Sequence, residues 1–336
     1  MGLIFLRIGI PRALIYYYYY PIWVTLFEEL GIEAVISGET SKNMIDEGIK
    51  VTVQEICVPI KIFNSHVLDL INKGVDYIFI PRMVKIKKFE TFCPKFLGLP
   101  DMAKNIFAEY NTEIISPKIS CNSDRITNFS SYKEVAKKLD IPSWKMKNAL
   151  KVAEKKWTEF RNLSLKGFTI DEIMAGKITD GVPVKNTGSE AINIGVMSYV
   201  YNLYDNFISM DIIAKLRSMG VNIVTFEMLP DKLLYKSLSH LKKHLFWTFS
   251  NKVLGAGFNF LNDGKIDGII HLTAFGCGPD SYIGKMMELE SDRKHKPFLT
   301  IRVDEHTGES HLITRIEAFT DMLKRKKIFQ AGRVSV

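Results

Sequence analysis

Short apolar runs that stop at proline or glycine alternate along this chain with stretches whose apolar residues recur at helical spacing. Leu6 to Ile10 is the first such run, and it stops at Pro11-Arg12, which predicts a buried strand and a turn. Ile22 to Leu30 has helical spacing and is stopped by Gly31, and Ile32 to Ile36 is a second strand. Val58 to Gly74 places Ile60, Phe63, Val67, Leu70 and Ile71 on one helix face. Val75 to Ile80 is a strand ended by Pro81-Arg82. Pro100 to Glu109 is a short helix, and Glu113 to Ile119 is another strand.

Ser130 to Lys166 is rich in lysine, alanine and glutamate and predicts one or two surface helices. Gly176 to Gly188 is rich in Gly, Thr, Asn and Asp. The alternation then restarts. Strands are expected at Ala191 to Val196, Val221 to Phe226, Ile266 to Leu272 and Pro297 to Val303. Helices are expected at Met210 to Met219, Leu245 to Leu261, Tyr282 to Glu290 and Thr314 to Arg325. Strands alternating with helices argue for parallel α/β sheets. The expectation is two Rossmann-like, doubly wound α/β domains, 1–140 and 189–325, with a cleft between them. A helical connector spans 141–188 and a basic tail 326–336.

Composition narrows the class. With 46% hydrophobic and 24% charged residues the chain reads as an ordinary globular protein. The net charge of +8 is spread in small clusters such as Lys85-Ile-Lys87-Lys88, which read as solvated faces. Such a surface also suits phosphate groups, including those of coenzyme A, or an acidic electron-transfer partner. No nucleic-acid-binding signature is present. Arg7 and Pro11 interrupt the first apolar stretch too early for a signal peptide. Ala13 to Phe27 is short for a membrane span and contains Pro21, and Met1-Gly2 is followed by Leu6 where a myristoylation signal needs Ser or Thr. A cytoplasmic protein without a membrane or nucleic-acid partner is expected.

Four cysteines, Cys57, Cys93, Cys121 and Cys277, carry the candidate chemistry. In a cytosolic chain they are buried, catalytic or metal-bound rather than disulfide-linked. Four thiolates close one tetrahedral zinc or one cubane iron–sulfur cluster. Cys121 and Cys277 follow predicted strands, Cys93 lies in a loop after one, and Cys57 precedes a helix. All four are therefore placed at the carboxyl edge, where open parallel sheets bind ligands. A helix N-terminus would lower the thiol pKa of Cys57. Simple packing is the alternative, since free cysteine is among the most buried residues. No C-x-x-C is present, which argues against a zinc ribbon or a thioredoxin-type motif.

Several segments resemble known proteins. Ile8-Gly-Ile-Pro-Arg-Ala13 with its tyrosine run, Glu55-Ile-Cys57-Val-Pro59-Ile-Lys61, Tyr77-Ile-Phe-Ile-Pro81-Arg82 and Cys93-Pro-Lys95 with Gly98-Leu-Pro100 resemble acyl-CoA dehydratase activase-related, or CoA protein activase, proteins. Phe275-Gly-Cys277-Gly-Pro-Asp280-Ser281 and Thr314-Arg315-Ile-Glu317-Ala-Phe319 resemble the 2-hydroxyacyl-CoA dehydratase subunit family. The resemblance implies stacked Rossmann-like domains holding a 4Fe–4S cluster by cysteines, in low-potential electron transfer or activation. It implies an ATP-dependent activase or other redox partner and an acyl-CoA substrate. Cys57, Cys93 and Cys277 match its cysteine-bearing motifs. Cys121 is then the fourth ligand, or the cluster keeps an open iron that would act on an acyl-CoA or other small substrate. A zinc-binding or scaffold module is the remaining reading. The chain lacks a Walker-type loop, so no ATP hydrolysis is assigned to it, and no catalytic residue is selected.

Around that site, Lys61 would screen a thiolate-bound cluster or simply be solvated. His66 would donate to a cluster sulfide or be a satisfied core histidine. Arg12 and Arg82, each after a strand and a proline, suit bidentate binding of phosphate or carboxylate. Arg315 and Glu317 are expected to pair with Asp304 or Glu305 and lock the last helix.

Overall fold

The computed structural model describes residues 6–178, 183, 185–188, 191–304 and 307–333. Met1-Gly2, Glu305 and the end of the basic tail lie outside the described residues. The chain forms two compact units, Met1–Asn162 with Leu245–Thr248, and Leu163–His244 with Phe249–Val336.

In chain order the first unit holds β1 (Arg7–Ile10), α1 (Tyr16–Leu30), β2 (Glu33–Ile36), α2 (Lys42–Lys50), α3 (Val58–Asn72), β3 (Tyr77–Phe79), β4 (Arg82–Lys85), α4 (Pro94–Ile106), β5 (Glu113–Ile115), β6 (Lys118–Ser120), α5 (Phe129–Lys138) and most of α6 (Ser143–Leu165). Its main sheet has the order β2-β1-β3-β5 with every pair parallel. Ile8, Ile10, Ile78 and Phe79 from the strands pack with Ile22, Leu26 and Phe27 of α1, all of them buried.

Three local features depart from the sequence pattern. The tyrosine run is helical, because α1 begins at Tyr16 and passes through Pro21. Pro21 lies past the first turn and has no N–H to give to the Tyr17 carbonyl. Tyr19 stacks on Trp157 with ring centroids 5.8 Å apart, and the Trp157 indole N–H donates to the Tyr18 carbonyl at 3.1 Å, so the run docks α6. Second, α2 had no sequence signal beyond Ser41, whose side chain caps the Met44 amide at 3.3 Å. Its Gly48 lies against α3: a Cβ there would sit 1.9 Å from Ser65 Oγ and 2.6 Å from Ser65 Cα.

Third, the strands predicted to stop at Pro81 and to run unbroken through Pro117 both break and resume. Neither proline has an N–H to give to a ladder. Ile80 N–H still reaches the Ile115 carbonyl at 2.9 Å and Arg82 N–H the Pro117 carbonyl at 2.9 Å. Beyond the break β4 and β6 form a separate two-stranded parallel sheet.

The second unit holds α7 (Ile170–Met174), β7 (Ile192–Met197), α8 (Val200–Leu203), α9 (Asn206–Ser209), α10 (Ile212–Ser218), β8 (Val221–Thr225), α11 (Asp231–Ser237), α12 (Thr248–Asn262), β9 (Gly268–Ala274), α13 (Gly278–Arg293), β10 (Phe298–Val303) and α14 (Glu309–Arg333). Its sheet order is β10-β9-β7-β8, again all parallel. Numbered within each unit, both sheets therefore follow the doubly wound order 2-1-3-4. Every residue of β9 is buried, as a central parallel strand requires. Among the described residues no helix is long and apolar enough to cross a membrane.

Candidate functional site

Three of the four cysteines share one local build. Cys57 is the N-cap of α3, Cys93 of α4 and Cys277 of α13, and each helix has proline at its first or second position. Proline suits that position because its missing N–H would have no helical partner there. The cap itself is where Ser, Thr, Asp or Asn is usual, since a short oxygen can take a first-turn amide. A thiol in that place is not explained by capping.

In the first unit Cys57 lies close enough to Cys93 to feel its charge, and both feel the Lys95 ammonium. Burial pushes the Cys57 thiol up from its ordinary value, against the pull of the Ile60 amide in the first turn and of Lys95. Burial likewise pushes Cys93 up, against the Lys95 amide and ammonium. The helix start was expected to lower the Cys57 pKa. Desolvation of a largely enclosed sulfur outweighs it. Lys95 appears in the sequence only as part of the Cys93-Pro-Lys95 motif, with no role assigned to it. Its signal is adjacency, in Cys93-Pro-Lys95 at the start of a helix.

Cys121 directly follows β6 and is the one cysteine classed as buried. Its amide donates to the Lys85 carbonyl at 2.8 Å, while the neighbouring Phe92 amide donates to Val84 at 3.1 Å. The loops carrying Cys93 and Cys121 are thus both tied to β4. Burial also raises the Cys121 thiol pKa, partly offset by Ser131. Cys277 belongs to the second unit, on the loop after β9, and its carbonyl accepts the Ser281 amide at 3.0 Å. Among the described residues no group of three or more His, Cys, Asp or Glu side chains is gathered as a metal would need.

The other sequence candidates have partners of their own. Lys61 is a buried side chain on α3 rather than a solvated one. His66 is fully buried, with Nδ1 2.8 Å from Ser37 Oγ and Nε2 2.9 Å from Thr40 Oγ1. Burial lowers its pKa to about 3, so the ring is neutral. One neutral tautomer satisfies this arrangement, with Ser37 donating to Nδ1 and Nε2 donating to Thr40. Arg12 joins the same network through its amide, 2.7 Å from Ser37 Oγ, and its guanidinium pairs with Glu39 at 3.1 Å. Arg82 does hold a carboxylate with both nitrogens, but that of Asp101, at 2.7 and 2.6 Å. It also donates to the Leu97 carbonyl at 2.7 Å, which fastens α4 to β4. Arg315 donates to the Thr300 carbonyl at 2.7 Å, so the last helix is tied to β10 through backbone rather than through Asp304. Asp304 instead accepts from the Thr307 hydroxyl at 2.7 Å.

The crevice between the carboxyl ends of β1 and β3, where such a sheet binds a nucleotide, is closed. Pro11, Leu14, Phe63, Phe79, Pro81 and Phe96 leave a cavity of about 20 Å³, room for about one water. The turn after β1 carries Pro11-Arg12 where a dinucleotide fold carries glycines.

No curated protein matches this chain. A solved structure from Bacillus subtilis, described provisionally as a phosphosugar isomerase, is 10% identical over 97% of this chain and 89% of its own, with a TM-score of 0.25. A score that low carries no argument. The family described as "CoA enzyme activase uncharacterised domain" matches residues 7–229, a stretch that contains Cys57, Cys93 and Cys121. That match covers most of the chain, which therefore belongs to the CoA enzyme activase uncharacterised domain family.

Proposed function

We propose that the chain is the iron–sulfur component of a CoA-enzyme activation system. It binds a 4Fe–4S cluster through Cys57, Cys93 and Cys277, with Cys121 as fourth ligand, and serves an enzyme that acts on an acyl-CoA. An ATP-dependent partner drives the electrons. The observation that carries this reading is the repeated cysteine N-cap followed by proline at the starts of α3, α4 and α13. Family membership supports the setting.

The donors fit the group in kind, since thiolates are the usual ligands of iron–sulfur clusters. Cys57 and Cys93 supply two of them from one unit, and the remaining ligands come from the chain's other two thiols. When bound, the cluster would supply one-electron chemistry at low potential. The chain's own contribution is to give up the thiol protons, which burial makes harder, and to place Lys95 beside two anionic sulfurs. Uptake of the metal therefore releases protons and is favoured by higher pH.

The test is anaerobic purification and reconstitution with iron and sulfide, read by metal content and visible absorption. About four irons and four sulfides per chain are expected for such a cluster. Cys57→Ala, Cys93→Ala and Cys277→Ala should each abolish the absorption. Colourless protein after reconstitution, or single variants that all keep full absorption, would sink the proposal. Zinc retained at one per chain with no sulfide would replace it with a structural metal site.

A further inference from the structure

We infer that the second unit contains a phosphate-binding site of its own, on the flank of its sheet. The site lies among α13, the edge strand β10 and the first turns of α14, and it uses no thiol. A cavity of about 470 Å³ opens there. Ligand sites are commonly about 300–1,000 Å³.

The lining charge is one-sided. Lys285 from α13, Arg302 from β10 and Arg315 from α14 face a single carboxylate, Glu288, and His311 adds a titratable donor. Glu288 is taken by Lys285 at 3.0 Å. Arg315 gives one nitrogen to the Thr300 carbonyl, which fixes the guanidinium and leaves its other donors over. Among the described residues the Arg302 guanidinium makes no hydrogen bond or ion pair. Two arginines with unused donors in one concavity match the geometry of phosphate oxygens, which accept from a guanidinium in pairs.

A buried pair supports this wall. His271 on β9 and Asp280 on α13 are both inaccessible, and Nε2 lies 3.0 Å from the carboxylate. His271 lines the cavity, and its Nδ1 is buried without a hydrogen-bond partner. The helix comes this close because residue 284 is glycine: a Cβ there would meet the imidazole at 2.4 Å. Nδ1 is enclosed behind this wall, so the contacts to a bound phosphate fall to the arginines that line the cavity.

Calorimetric titration of the full chain with inorganic phosphate and with pyrophosphate, at constant ionic strength, tests the site. Saturable binding of either supports it, and the tighter of the two separates a single-phosphate from a diphosphate ligand. Arg302→Gln should weaken binding about tenfold or more, the loss of one charge-assisted hydrogen bond. Glu288→Gln should tighten it severalfold by releasing Lys285, an outcome that a merely damaged fold cannot give. Failure of both anions to bind, displacement by equimolar chloride, or an Arg302→Gln protein that binds like the wild type would overturn the inference. Cluster content is indifferent to these outcomes, so the two readings fail independently.

Discussion

In the first unit the carboxyl ends of β1 and β3 close over one another, with Pro11, Leu14, Phe79 and Phe96 filling the place where a nucleotide would lie. In the second unit, built on the same strand order, a cationic concavity opens on the β10 flank. The polar chemistry of the first unit sits instead at helix starts, as enclosed thiols beside Lys95. Strand order therefore does not decide where chemistry resides. What decides it is which crossover begins with a cysteine and which helix carries a glycine that lets it settle onto a histidine.

The largest stability change that would test this contrast is Gly48→Ala. Its methyl would meet the backbone of α3, and overpacking of this kind costs about 1–3 kcal/mol, with relief blocked because Ser65 Cα lies 2.6 Å away. A lowered denaturation midpoint with loss of Cys57 and Cys93 protection is expected, with the phosphate site of the second unit unchanged. Gly284→Ala should do the converse. The Cβ would strike a ring held by Asp280, and the helix-propensity gain of about 1 kcal/mol offsets part of the cost. Phosphate titration should suffer while the first unit's thiols, Cys57, Cys93 and Cys121, are unaffected. If either variant disturbs both sites equally, the units are not separable in the way described.

A smaller effect concerns pH. His66 has its folded pKa lowered to about 3, so the folded chain binds no proton there while the unfolded chain does below about 6.5. Its contribution to stability is complete above the unfolded value and is lost as pH falls from about 6.5 toward 3, with a slope of at most ~1.4 kcal/mol per pH unit. Urea denaturation of wild type and His66→Gln between pH 7 and 5 checks this. The wild type should lose stability more steeply than the variant. Smallest is a rate effect. Alkylation of Cys57 and Cys93 in the metal-free chain should still be accelerating at pH 9, because burial raises both thiols, and Cys121 should react last. Mass spectrometry after timed labelling reads it.

Much of the architecture was legible because parallel strands buried on both faces read as short apolar runs. The runs at 6–10, 32–36 and 221–226 fall on strands of the structure with ends shifted by a residue or so. What was not legible depended on partners distant in sequence. The helical spacing was read only from Ile22, after Pro21, yet α1 starts at Tyr16 and runs through that proline with Tyr18 and Tyr19 docked on Trp157. Arg82 looked available to a ligand until Asp101, nineteen residues on, took both its nitrogens. Of the cysteines, Cys57 was legible as preceding a helix and Cys121 and Cys277 as following strands, whereas Cys93 was read in a loop and caps α4, which starts at Pro94 rather than Pro100. The elevated thiol pKa of the first unit's cysteines was not legible, because desolvation is a property of the packed neighbourhood. His271 and Gly284 had a faint signal, a histidine in an apolar strand and a glycine inside a helix, but only packing joins them.

Pro81 and Pro117 stand side by side in neighbouring strands and remove two amides from the same level of the sheet. The β4–β6 ladder is thereby uncoupled from the ladder below it. Hydrogen exchange should register this as two populations: the amides of Phe92 and Cys121, both bonded to β4, should exchange together, and faster than those of β1 and β3. The loops carrying Cys93 and Cys121 then open as one patch while the main sheet stays shut, which gives this end of the unit a local folding equilibrium of its own.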